Sequence, residues 1–280
     1  MSDKIERIFI SVDMEGISSL VDGTQTNSEH SEYAYYRKLM VEDLNAAIQG
    51  ALECGVKEVV VSDAHGGMKN IQPEDLNEAA YLVRGTPKPF TMMSGIEEDI
   101  DAAMYVGYHA MAGMENAILS HTISGSIIDA VFMNGREIGE FGINAALAGW
   151  YGIPSLFVSG DAAACLEAEN FVPNISTAVV KWALGRVAAK CLHPNKSRAL
   201  IRIKAKDALN NIAKIRPYCI NEPVEVKVRW VNPIMADAVS VLPYMDRIDG
   251  KTTVCTFDDY PTAFKGFRAS IWVAESIMKR

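Results

Sequence analysis

The sequence lacks any apolar run approaching the ~20 residues that a membrane-spanning helix needs, so nothing in it reads as a transmembrane segment. It also lacks a recognisable leader. Residues 1–16, MSDKIERIFISVDMEG, enter a strand-like run within a few positions, with no h-region and no small-residue cleavage site. There is no Lys/Arg cluster. The 27 basic residues are outnumbered by 35 acidic ones, and a net charge of −8 argues against a nucleic-acid surface. The five cysteines (Cys54, Cys165, Cys191, Cys219, Cys255) are odd in number and scattered, with no CxxC pair. That excludes a zinc ribbon and a thioredoxin-type site and suits a reducing compartment. Internal repeats and low-complexity segments are missing too. These absences point to a cytoplasmic protein with neither a membrane nor a nucleic-acid partner, in which the Asn174-Ile175-Ser176 sequon has no meaning.

What is present is an ordinary globular composition, 49% hydrophobic and 22% charged over 280 residues, enough for one large domain or a domain with a smaller companion. The chain opens on Ile8-Phe9-Ile10 and Val12, a short β-branched and aromatic run that breaks into Asp13-Met14-Glu15-Gly16. This reads as a buried strand. Asp13 and Glu15, two apart, point to the same side if strand geometry persists. Two carboxylates at the mouth of a buried strand repel each other and lose hydration, and a divalent cation is the commonest remedy. An Asp that caps the next turn beside a solvated Glu fits this stretch equally well.

Further along, residues 32–54 carry apolar side chains three and four apart, with Gly55 as a stop, and predict an amphipathic helix. Residues 58–62 (EVVVS) are a second buried strand ending at Asp63-Ala64-His65. Strand, helix and strand form a βαβ unit with parallel strands. Strands are expected at 81–83, 103–108, 127–133, 155–159 and 177–180, and Asn134-Gly135 is a hairpin dipeptide. Helices are expected up to Tyr151, after Asp161 as N-cap, up to Cys191, and over 197–212. A strand at 224–230, another near 252–257 and a closing helix from Tyr260 complete the chain. The alternation predicts a layered α/β/α domain with a central, largely parallel or mixed sheet over residues 1–194. A smaller C-terminal α+β portion is expected over 195–280.

Three strand ends then carry potential metal ligands: Asp13 with Glu15, His65 beside Asp63, and His109. In an open α/β sheet, ligands bind beyond the carboxyl ends of the strands at a topological switch point. Oxygen and imidazole donors collected there suit zinc, with manganese a second fit. Singly, each histidine reads as a satisfied structural residue. Taken together, they read as a metal site.

The segments SVDMEGIS, DAHGGMKN, VGYHA, LSHT and NGREIGEFGINAALAGWYGIPSLFVSGD resemble, in order and spacing, the DppA-type D-aminopeptidases, metallopeptidase family M55. The resemblance runs from about Ile8 to Cys191 and is looser beyond. It implies a two-zinc site with Asp13, Glu15, His65, His109 and Glu140 as ligands, Asp13 bridging, and His121 as the active-site histidine. Glu140 alone reads as a carboxylate favoured by a helix N-terminus, and His121 alone as a core or hydroxyl-bonded residue. Where a family member has charged residues after Gly-Asp, this chain has Ala162-Ala163-Ala164.

The resemblance implies an aminopeptidase acting on short peptides with N-terminal D-amino acids such as D-Ala. It also implies a self-compartmentalising, ring-like homo-oligomer such as a decamer. The alternatives are a metal-dependent amidohydrolase, an L-specific aminopeptidase and, from another class, a dipeptide-binding component of a transport system. Asn134 reads as a turn residue before an oxyanion donor, Asp63 as an orienter of His65 or a strand terminator, and His30 and His193 as surface residues.

Overall fold

The computed structural model describes residues 5–278. The elements are, in chain order, β1 (Arg7–Val12), α1 (Tyr33–Leu52), β2 (Glu58–Asp63), β3 (Ala80–Val83), β4 (Ala102–Tyr108), β5 (Ile128–Met133) and β6 (Arg136–Glu137). There follow α2 (Glu140–Trp150), β7 (Ser155–Asp161), α3 (Ala162–Phe171), β8 (Ser176–Gly185), β9 (Ala188–Cys191) and α4 (Pro194–Asn210). The chain closes with β10 (Val224–Trp230), α5 (Pro233–Val239), β11 (Asp246–Arg247), β12 (Thr252–Phe257) and α6 (Tyr260–Met278).

Seven strands form the main sheet in the order β3-β2-β1-β4-β7-β8-β9, parallel throughout except for the antiparallel edge strand β9. Ile8, Phe9 and Ile10 are fully buried. A parallel strand covered on both faces has no polar side to alternate with, and so reads as a continuous apolar run. The order runs outward from β1 through β2 and β3, then resumes on the other side at β4. The switch point therefore lies between β1 and β4.

The second, antiparallel sheet has the order β11-β12-β10-β5-β6. Its β5–β6 hairpin turns on Asn134 and Gly135, both at positive φ (47° and 78°), as an Asn-Gly two-residue turn requires. Chain from both sides of residue 194 enters each half of the molecule. The β5 strand pairs with β10, while α4 packs on α1 and on the main sheet. Helix α6 lies against α2, β10 and β12.

One expected element is corrected. The segment up to Cys191 is not a helix: β8 continues to Gly185, and β9 returns antiparallel to it. Its alanine, leucine and basic residues favour a helix locally, but pairing of Lys181 with Cys191 and Trp182 with Lys190 outweighs that weak preference. The next helix starts earlier than expected, at Pro194, with His193 as its N-cap accepting from the Asn195 amide. The short helix α5 and the two-residue strands β6 and β11 carry too few residues for a periodic signal.

Candidate metal centre

The loops that leave β1 and β4 meet because glycine lets them. The Gly16 amide donates to the Gly107 carbonyl at 2.8 Å, and a Cβ at Gly16 would lie 1.9 Å from the Tyr108 carbonyl oxygen. Any side chain there would push Asp13 and Glu15 away from His109. The loop after β1 is also held from below. Lys181, fully buried on β8, donates its three ammonium protons to the carbonyls of Glu15, Ile17 and Leu20. Burial pushes its pKa down to about 8, so at neutral pH it remains an ammonium with three donors for three acceptors.

On this frame six side chains converge. Asp13 Oδ1 lies 3.3 Å from His65 Nδ1, and Asp13 Oδ2 lies 3.4 Å from His109 Nε2. Glu15 Oε2 is 3.0 Å from His65 Nδ1, and Glu140 Oε1 is 3.3 Å from His109 Nε2. His121 stacks on His109 with ring centroids 4.0 Å apart and reaches to 3.8 Å of Glu140 Oε1. The donors fall into two groups, Asp13–Glu15–His65 and His109–His121–Glu140, within each of which ligand atoms lie within 4.8 Å of one another. Asp13 spans them, with one oxygen toward each.

The far nitrogen of every imidazole faces a main-chain carbonyl: His65 Nε2 faces Thr26 (3.2 Å), His109 Nδ1 faces Ala110 (3.0 Å) and His121 Nδ1 faces Leu119 (2.7 Å). A carbonyl only accepts, so those nitrogens carry the protons, and in the neutral rings the lone pairs point at carboxylate oxygens. Lone pairs facing lone pairs call for a cation. His109 Nε2 is buried without a hydrogen-bond partner among the described residues. The separations of 3.0–3.4 Å also match the ~3.4 Å edge of a tetrahedron built with metal–ligand bonds of ~2.0–2.1 Å. The donor set fits zinc.

Electrostatics agree. Burial, with Glu15 beside it, pushes the Asp13 carboxyl up to about 7. Burial also disfavours charge on His65 and His109, yet Glu15 and Asp13 around the first and Glu140 around the second hold both well above the usual histidine range. Protons thus stand in for a positive charge that the carboxylates require. His121 differs: burial and the neighbouring His109 lower its pKa, which keeps the ring neutral. A cavity of about 210 Å³ opens over the cluster, lined by Asp13, Glu15, His65, His121 and Glu140, with Arg268 and Glu275 among its other walls.

Comparison with known proteins places this architecture. The M55 peptidase family model, described as D-aminopeptidase, matches residues 7–269. The chain belongs to the M55 D-aminopeptidase family. A D-aminopeptidase of Bacillus subtilis (strain 168) is 37% identical over 248 residues, covering 89% of this chain and 90% of that protein. The solved structure of the Zn-dependent D-aminopeptidase DppA from Bacillus subtilis, a self-compartmentalizing protease, superposes with a TM-score of 0.93 at 34% identity. That match covers 96% of this chain and 98% of the other.

All six residues singled out from the M55 resemblance are therefore brought to one place. The others are not. Asp63 accepts from the amides of Asn70 and Ile71 and from the Asn70 side chain, so it orders the loop after β2 rather than the His65 ring. Asn134 ties its turn to the chain entering β10 through the Asn221 carbonyl and to β10 itself through the Glu225 amide. Asp161 caps α3 at the Ala164 amide and also accepts from Ile118, which anchors the loop leading to His121. His30 and His193 are exposed. Ala163 packs with Ala110 and Ala117 under the His109–His121 loop, so small residues after Gly-Asp serve packing here. Sequence reasoning missed the α6 contribution, since a charged pair seven residues apart on a helix looks like any solvated face.

Proposed function

We propose that this chain is a zinc-dependent aminopeptidase that hydrolyses short peptides with N-terminal D-amino acids such as D-Ala. Asp13, Glu15, His65, His109 and Glu140 would hold two zinc ions per subunit, Asp13 being the residue that faces an imidazole of each donor group. The observation that carries this reading is the pair of Asp13 oxygens, 3.3 Å and 3.4 Å from imidazole nitrogens that belong to separate donor groups. Three carboxylates against two dications leave one positive charge, which suits a site that must stabilise a developing oxyanion. Zinc, when bound, acidifies water and polarises the scissile carbonyl.

The protein's own groups do the rest. His121, neutral and fixed by the Leu119 carbonyl, presents Nε2 to the cavity as a proton acceptor or donor. Glu140 accepts from the Ile123 amide at 2.6 Å through the same oxygen that faces His109, which favours a fixed ligand role over proton transfer. D-specificity and zinc dependence are supported by the named activity of the relatives, and a self-compartmentalising homo-oligomer by the description of DppA as a self-compartmentalizing protease; a decamer is the assembly we propose. No helix among the described residues is long and apolar enough to cross a membrane. Five free cysteines support a cytoplasmic setting.

The reading is tested with paired D-Ala and L-Ala dipeptides, with and without a chelator and with zinc restored. Chelator-sensitive cleavage of the D-form alone supports it. Cleavage of the L-form removes the stereospecific part, and cleavage that survives chelation removes the metal.

A further inference from the structure

The cavity over the cluster is closed on one side by α6, which contributes Arg268 and Glu275. Seven residues apart, they share a helix face. Arg268 is half-buried, its guanidinium 5.3 Å over the Trp272 ring. Its Nε is shielded from solvent and has no hydrogen-bond partner among the described residues. It feels the field of Glu275 and Glu140 without forming an ion pair with either among the described residues. Among the described residues, Arg268 is the one Lys or Arg side chain lining the cavity, and a guanidinium there with an unmet donor can take an acceptor that enters. The cluster carboxylates do not supply it, because in the zinc reading their charge is already matched.

A peptide held at the cluster by its N-terminus brings one obligatory anion, its C-terminal carboxylate. The planar fork of arginine matches a carboxylate in shape as well as charge. The cavity, about 210 Å³, is smaller than the ~300–1,000 Å³ of sites for drug-sized ligands, so this carboxylate lies inside it only if the peptide is short. We propose that Arg268 binds the free C-terminal carboxylate of the substrate and makes the enzyme selective for peptides of two or three residues. The inference rests on the aminopeptidase reading and adds the group that measures substrate length.

The test compares D-Ala-D-Ala with its C-terminal amide, by hydrolysis with zinc-loaded protein and by calorimetric binding to zinc-loaded His121→Ala protein. The free acid is expected to be preferred by about 10- to 100-fold, the size of one charged hydrogen-bonded contact, and the difference should lie in KM rather than kcat. Arg268→Met should bring the acid-to-amide ratio close to one, and Arg268→Lys should keep part of the preference. Equal hydrolysis of acid and amide by the wild type would overturn the inference and leave the aminopeptidase reading intact. Carboxylate-dependent binding that Arg268→Met removes, without hydrolysis of either compound, would do the reverse. An unchanged ratio in folded Arg268→Met protein overturns it as well.

Discussion

Asp13 and His109 sit where the two donor groups join, and each faces partners that would be left as unpaired charge if the other were removed. Asp13→Ala and His109→Ala are expected to lose bound zinc and hydrolysis together; full activity with unchanged zinc in both would reject the ligand assignment. His121 stacks on His109 but reaches Glu140 only at 3.8 Å. Its replacement by alanine should retain zinc while lowering kcat by about 10²–10⁴, the usual worth of a positioned proton carrier. Loss of zinc in that variant would make His121 a ligand. At this scale the sequence was legible wherever a residue ended a strand, because Asp13, Glu15, His65 and His109 each follow an apolar run. Glu140 and His121 follow no such run, and only the resemblance of their motifs singled them out.

The elements hold the cluster in place through two buried ionisable side chains, and both can be tested. Lys181 of β8 satisfies three carbonyls of the loop that carries Glu15. Lys181→Met leaves them without a donor and should cost about 3 kcal/mol in urea unfolding, with weaker zinc binding; a change below about 1 kcal/mol would show that the loop stands without it. Glu167 of α3 accepts from the Met111 amide at 2.8 Å, just beyond His109, and burial pushes its carboxyl up to about 7. The folded protein then keeps a proton that the unfolded chain releases above about 4.5, so this group's contribution is full below that pH and is lost as pH rises through 7. Glu167→Gln, which does not titrate, should raise Tm at pH 8, by the equivalent of up to about 3 kcal/mol, and hardly at pH 5. Equal Tm differences at the two pH values would contradict this. The β8–β9 hairpin shows why such supports escape a sequence reading: its local composition is helical, and its conformation follows from pairing with the sheet.

Across the whole molecule, the cavity is a joint product of both sheets' elements. Loops that follow strands of the main sheet and the first turn of α2 supply the donors, and α6, packed on β10 and β12, supplies the wall with Arg268. The layered α/β class followed from the alternation of runs along the chain. The capture of β5 and β6 by a sheet built mostly from later strands did not, because it depends on pairing between Val226 and Met133, nearly a hundred residues apart. If the chain assembles as the DppA relative does, light scattering should give a mass many times the 30.6 kDa of one chain, and a monomer mass would contradict that expectation. The central claim, that Asp13 joins two metal positions in one working centre, is tested most directly by adding zinc stepwise to metal-free protein while D-Ala-D-Ala hydrolysis is followed. Activity should reach its plateau at two equivalents per chain. A plateau at one equivalent, or activity independent of added zinc, would contradict it.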